Sequence, residues 1–114
     1  MAQVIELATP QDADRMIQAS YKRPVYLLKH SVSCPISGRG HRAFIGLVED
    51  ETIDTYAVLV QYAREVSNYL ADALGVRHET PQAILIKDGE AVSVASHYAI
   101  TTDALRDAVQ QATT

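Results

Sequence analysis

The chain has 114 residues, of which 47% are hydrophobic and 21% charged, and it carries a formal net charge of −4 at pH 7. These values are typical of one globular domain with a buried core, assigned to residues 1–114, and the lack of basic runs argues against nucleic acid and anionic membranes as partners. With no apolar stretch near the roughly 18 residues that span a bilayer and no secretion-signal pattern at the N-terminus, we expect a cytoplasmic protein.

Apolar periodicity and turn residues divide the chain into nine elements. In chain order these are a strand at 4–7, a helix from Thr9, a strand at 25–30, a helix from Pro35 to about 48, a strand at 56–60, a helix over 63–74, strands at 82–87 and 90–96, and a helix from Thr101 or Thr102. The strand at 25–30 is apolar almost throughout, which favours burial on both faces in the middle of a sheet. Asp88-Gly89 is a strong signal for a two-residue hairpin turn.

The order β-α-β-α-β-α-β-β-α predicts an α/β fold with a mixed central sheet flanked by helices. Helices between the first three strands imply parallel crossovers, whereas the terminal hairpin is antiparallel. This order resembles the thioredoxin fold over essentially the whole chain, with Cys34 at the start of the helix after the second strand and Thr80-Pro81 just before the fourth. In thioredoxin-like proteins the proline just before the fourth strand is cis and faces the active sulfur, so the resemblance implies a cis peptide bond before Pro81.

Cys34, the only cysteine, stands where a strand changes to a helix. If Cys34 caps the helix, Pro35 falls at the first helical position, and the free amides of the first turn point back at the sulfur. Those amides and the positive end of the helix favour thiolate over thiol, so we interpret Cys34 as reactive rather than as an inert core residue. One cysteine cannot form an internal disulfide, which fits a reducing compartment.

Strand direction predicts which distant segments meet the cysteine. The second strand ends near Cys34, the fourth begins at that edge if it runs antiparallel to the second, and the fifth ends there. Thr80-Pro81 and Ser96-His97 are therefore expected to converge on the same site as Cys34.

Within the thioredoxin-like proteins, the chain resembles the monothiol bacilliredoxins, the YtxJ-like group. The resemblance is carried by Lys29-His30-Ser31, by Cys34-Pro35-Ile36-Ser37 and by Ser96-His97-Tyr98 near the end. It implies a thiol–disulfide oxidoreductase that removes bacillithiol, a small thiol built from cysteine, glucosamine and malate, from S-bacillithiolated proteins. Bacillithiol is then a co-substrate and no cofactor is tightly bound. Cys34 is the implied nucleophile.

The remaining site residues have two interpretations each. Ser37 occupies the place of a resolving cysteine, so an internal disulfide cycle is impossible; its hydroxyl either donates to the thiolate or is simply polar. His30 either raises the thiolate population or packs at the strand end, and His97 either binds ligand or holds its own loop. His78 is assigned no role, and the histidine spacing predicts no metal site.

Two alternative functions belong to other classes. The first is an iron–sulfur cluster carrier resembling monothiol glutaredoxins, although Pro35-Ile36 stands where the best-known carriers have glycine and phenylalanine. The second is a non-catalytic thioredoxin-like adaptor whose cysteine senses oxidation.

Overall fold

The computed structural model describes residues 4–30, 53–60 and 63–113, without the side chains of Tyr98 and Thr113. The elements in these ranges are β1 (Val4–Glu6), α1 (Pro10–Ala19), β2 (Val25–His30), β3 (Asp54–Leu59), α2 (Arg64–Leu74), β4 (Gln82–Lys87), β5 (Glu90–Ser96), a 3₁₀ turn (His97–Ala99) and α3 (Thr102–Thr113). The helix predicted from Pro35 to about 48 lies outside the described residues. No helix of the described ranges has the length and apolar character needed to cross a membrane.

The strands form one sheet in the order β1-β3-β2-β4-β5. The strands β1, β3 and β2 are parallel, while β4 runs antiparallel to β2, and β5 antiparallel to β4. The predicted mixed sheet is therefore confirmed. Its central strand, β2, has five of its six residues buried, because neighbours pair with both of its edges and helices cover both of its faces.

Strand alternation divides the core into two clusters, one on each face of the sheet. Val25 and Leu27 face the cluster formed with α1 and α2, which includes Met16 and Leu70. Tyr26 and Leu28 face the cluster formed with α3, through side chains such as Leu105 and Val109. Each helix thus buries the apolar face that its sequence periodicity predicts.

Helix α1 begins with a reciprocal cap. The Thr9 hydroxyl accepts a hydrogen bond from the Asp12 amide, while the Asp12 carboxylate accepts from the Thr9 and Ala8 amides. These amides hold the pKa of Asp12 below its ordinary value. The predicted start of this helix is therefore confirmed, with Pro10 in its first turn, where a proline costs no hydrogen bond.

The third strand differs from its predicted range. It begins at Asp54 rather than at 56 and ends at Leu59. Asp54 pairs with Val25 and Thr55 with Tyr26 in the parallel ladder. Pairing with the central strand extends β3 to Asp54, a residue type that is depleted in strands.

Candidate functional site

The segment before β4 has the predicted conformation. The Thr80–Pro81 peptide bond is cis, and Pro81 is buried at the start of the strand. The predicted catalytic residues Cys34, Pro35 and Ser37 lie outside the described residues. The described part of the site is formed by the end of β2, the start of β4 and the end of β5.

The structure brings Thr80-Pro81 and Ser96-His97 together, as strand direction predicts. Gln82, the first residue of β4, pairs with Ser96, the last residue of β5. The His97 amide donates a hydrogen bond to the Pro81 carbonyl at 3.0 Å. Two segments that are about 15 residues apart in sequence are thus held against each other by backbone bonds, and their roles in binding a substrate stay predictions.

His97 stands on the rim of this region in an uncommon backbone conformation. Its φ of 56° is left-handed, and its Nε2 lies 3.6 Å from Glu79 Oε2. Both side chains are more than a third exposed, so this contact is well screened by solvent. The imidazole remains reachable for a ligand. Across the described ranges, no three histidine, cysteine, aspartate or glutamate side chains are grouped closely enough to hold a metal ion.

His30 is the last residue of β2 and is half-buried. It pairs with Leu59, and its carbonyl accepts a hydrogen bond from the Val60 amide at 3.0 Å. These backbone bonds anchor the strand end from which the chain continues towards Cys34. Both predicted roles of His30, in packing and in favouring the thiolate, stay open as predictions.

Lys29 belongs to the strand that is predicted to be buried on both faces, and its charged side chain is buried with the apolar ones. It is 0% exposed, and its Nζ has no hydrogen-bond partner in the described part of the chain. Burial lowers the pKa of Lys29 to about 8 from its ordinary 10.5. Strand alternation was the available signal, because it places Lys29 on the same face as the apolar Val25 and Leu27.

His78 was missed, since it was assigned no role. Its residue surface is exposed, but its Nδ1 lies 3.1 Å from the hydroxyl of Ser67, a buried residue of α2. Burial, followed by the charges of Lys29 and Arg64, lowers the pKa of His78. The charge of Lys29 is thus one of the causes that lower the pKa of His78, after burial.

Comparisons with known proteins agree with this geometry. The family model described as monothiol bacilliredoxin BrxC matches residues 5–105. A solved structure described as a proposed oxidoreductase with a thioredoxin fold is 32% identical, with a TM-score of 0.85 and 92% of each chain covered.

Thioredoxins from distant organisms share the fold alone. The Fasciola hepatica protein is 19% identical over 96% of this chain and 99% of its own, with a TM-score of 0.78. A thioredoxin mutant from Halobacterium salinarum is 20% identical over 98% and 92%, also with a TM-score of 0.78. The predicted thioredoxin-like α/β fold is therefore confirmed.

Proposed function

Because the chain belongs to the monothiol bacilliredoxin family, we propose that it removes bacillithiol from S-bacillithiolated proteins by thiol–disulfide exchange. The observation that carries this proposal is a family match over residues 5–105 in a chain with one cysteine. A monothiol enzyme can accept a thiol adduct, but it needs a second thiol from solution to release it.

The proposed cycle has two exchanges. In the first, the Cys34 thiolate attacks the bacillithiol sulfur of the mixed disulfide; a new S–S bond joins Cys34 to bacillithiol, and the substrate protein leaves as a thiolate. In the second, the thiolate of another bacillithiol attacks the bacillithiol sulfur on Cys34. This releases bacillithiol disulfide and restores the Cys34 thiolate, so no further oxidant or reductant is required.

The other site residues support these exchanges in distinct ways. Pro35 and Ser37 follow Cys34 closely in the sequence, and Ser37 offers a hydroxyl without being able to resolve the adduct. Thr80, Pro81 and Ser96 contribute the neighbouring backbone edge, where a substrate segment can be held. A tightly bound cofactor has no part in this cycle, and the reducing cytoplasm supplies the small thiol.

Mass spectrometry of a single exchange tests the proposal. Wild-type protein is mixed with an S-bacillithiolated model protein, and we expect the adduct to move to Cys34 while the model protein regains its free thiol. Cys34→Ser should leave the adduct in place, and the exposed-site variant Lys22→Met should behave as wild type. Excess bacillithiol should then give repeated turnover.

Two results would contradict this function. Wild-type protein that takes no adduct would lack the proposed activity, and one that takes a single adduct without turnover behaves as a sensor. A matched substrate carrying glutathione in place of bacillithiol tests selectivity, and equal rates on the two substrates would overturn the assignment to bacillithiol.

A further inference from the structure

Two buried polar atoms on neighbouring strands have no hydrogen-bond partner in the part of the chain that the structure describes. They are the Nζ of Lys29, on β2, and the Oε1 of Gln82, the first residue of β4. Lys29 is 0% exposed and Gln82 is 2% exposed. Buried polar atoms in native proteins are almost always hydrogen-bonded to protein or to ordered water, so both atoms require an explanation.

The register of the sheet places these two side chains together. Lys29 and Gln82 are direct partners in the antiparallel ladder between β2 and β4. Side chains in this relation lie on the same face of the sheet, with their Cβ atoms about 5 Å apart. Strand alternation puts Lys29 on the face of Leu27, which belongs to the core cluster under α1 and α2. A buried donor group and a buried acceptor atom therefore start from adjacent positions on one face.

The orientation of the Gln82 amide is fixed by its neighbour. The Gln82 Nε2 donates a hydrogen bond to the Arg77 carbonyl at 3.0 Å. A carbonyl oxygen can only accept, so rotating the amide by half a turn would set two acceptors against each other. Oε1 is therefore the end of the amide that still needs a donor. The cross-strand ammonium of Lys29 is such a donor, yet no direct hydrogen bond joins the two atoms.

The other polar side chains of this region are engaged elsewhere. The hydroxyl of Ser67, which is buried on α2, lies 3.1 Å from the Nδ1 of His78. The carboxylate of Glu79 faces His97, with 3.6 Å between Oε2 and Nε2. Burial, followed by the charge of Lys29, lowers the pKa of His78, so its ring brings no negative charge to the ammonium.

The chemistry of the two atoms defines what can join them. The bridging group must accept a hydrogen bond from an ammonium and donate one to an amide oxygen. An anion would face the lone pairs of Oε1, and a cation would face the ammonium. Water meets both needs, and buried waters typically make about three hydrogen bonds to polar groups of this kind. Two hydrogen bonds of about 2.8 Å span up to roughly 5.6 Å, a distance that suits side chains on adjacent strands.

We propose that one ordered water molecule is bound between Lys29 Nζ and Gln82 Oε1 and links β2 to β4. The water accepts a hydrogen bond from Nζ and donates one to Oε1. Through the Gln82 amide this link continues to the Arg77 carbonyl, in the loop before β4. It thereby braces the segment that carries Pro81, next to Gln82. The ammonium keeps two further N–H groups, so its burial remains costly.

A high-resolution crystal structure of the wild-type chain tests the proposal directly. We expect one electron-density peak within about 3.2 Å of both Nζ and Oε1, without the anomalous scattering of a chloride ion. Four results would overturn the proposal: no peak, an anion at this place, a direct hydrogen bond between the two side chains, or a protein acceptor for Nζ from another segment.

Oxygen-17 magnetic relaxation dispersion counts long-lived internal waters in solution. Lys29→Met and Gln82→Met each remove one of the two polar atoms and keep most of the side-chain volume. We expect each variant to lose one long-lived water, and the double variant to lose no more than one, because both side chains hold the same molecule. Lys22→Met and Gln18→Met make the matched changes at exposed positions and should lose none.

The variants can also contradict the proposal. Loss of two waters in the double variant would indicate two separate sites, and an unchanged count in a folded single variant would indicate none. The crystal structure requires no substitution, so it decides the question if the variants do not fold. Neither measurement involves Cys34 or bacillithiol, so both results are independent of the proposed function.

Discussion

At the scale of single residues, Lys29 links the pH dependence of folding to a buried charge. Its pKa is about 8 in the folded chain against an ordinary 10.5, a difference that corresponds to about 3 kcal/mol. Below pH 8 both the folded and the unfolded chain carry the proton, so the folded state bears the full cost. Between pH 8 and 10.5 only the unfolded chain keeps it, and the free energy of unfolding contributed by Lys29 rises with pH.

Lys29→Met is therefore expected to be more stable than wild type at pH 7, by up to about 3 kcal/mol, because an apolar side chain fills the buried position without a charge. The advantage should shrink as the pH rises from 8 towards 10.5. Urea unfolding at several pH values measures it, with Lys22→Met as the control for loss of a positive charge. A Lys29→Met protein less stable than wild type at every pH would contradict this explanation.

At the scale of elements, the β4–β5 hairpin is joined to the end of α1. Asp88 and Gly89 adopt φ values of 55° and 78°. The Asp88 amide donates to the Ser20 carbonyl and the Gly89 amide to the Ser20 hydroxyl, each at 2.9 Å. The Tyr21 ring covers Gly89 so closely that a Cβ there would collide with it.

Two glycines with similar backbone angles make a matched pair. Gly75 ends α2 with φ 64° and has open space around it, whereas Gly89 faces Tyr21. We expect Gly75→Ala to cost about 1 kcal/mol of the free energy of unfolding, from the left-handed backbone alone. Gly89→Ala should cost about 1–3 kcal/mol more, because the tyrosine must move. If chemical denaturation shows that both variants lose the same free energy of unfolding, the contact of Gly89 with Tyr21 does not add to the cost of the substitution.

At the scale of the whole molecule, the single cysteine determines how the proposed cycle must close. With no second thiol in the chain, bacillithiol bound to Cys34 can leave only by attack from solution. The rate at which the adduct is released from Cys34 should therefore rise linearly with bacillithiol concentration and should be zero when no thiol is added.

Ser37→Cys tests this consequence, since it restores a cysteine three residues after Cys34. We expect it to add a release rate that does not depend on bacillithiol concentration, because an internal disulfide displaces the adduct. Rapid mixing with bacillithiol, with the adduct followed by mass spectrometry, measures both the release rate that depends on bacillithiol concentration and the one that does not. A concentration-independent release in the wild type would contradict the monothiol cycle.

Local signals in the sequence were sufficient for most of the fold. The bounds of β2, β4 and β5 agree with their predicted ranges, since alternating or continuous apolar character and Asp88-Gly89 are local features. The predicted start of β3 was wrong because Asp54 is in the strand through its pairing with Val25 of β2, and Thr55 through pairing with both β1 and β2. Such pairing is a property of the neighbour and leaves no local signal.

The features of the site can likewise be separated into those that the sequence predicts and those that only the tertiary structure decides. The meeting of Pro81 with His97 follows from strand direction, which can be read from the sequence, while the role of the motif around Cys34 stays a prediction. The lack of an acceptor for the Lys29 Nζ within the described ranges and the contact between His78 and Ser67 do not follow from the sequence. They depend on which side chains α2 and the loop before β4 place over one face of the sheet. Tertiary packing alone decides whether the ammonium of a buried lysine meets an acceptor from the chain, and among the described residues it meets none.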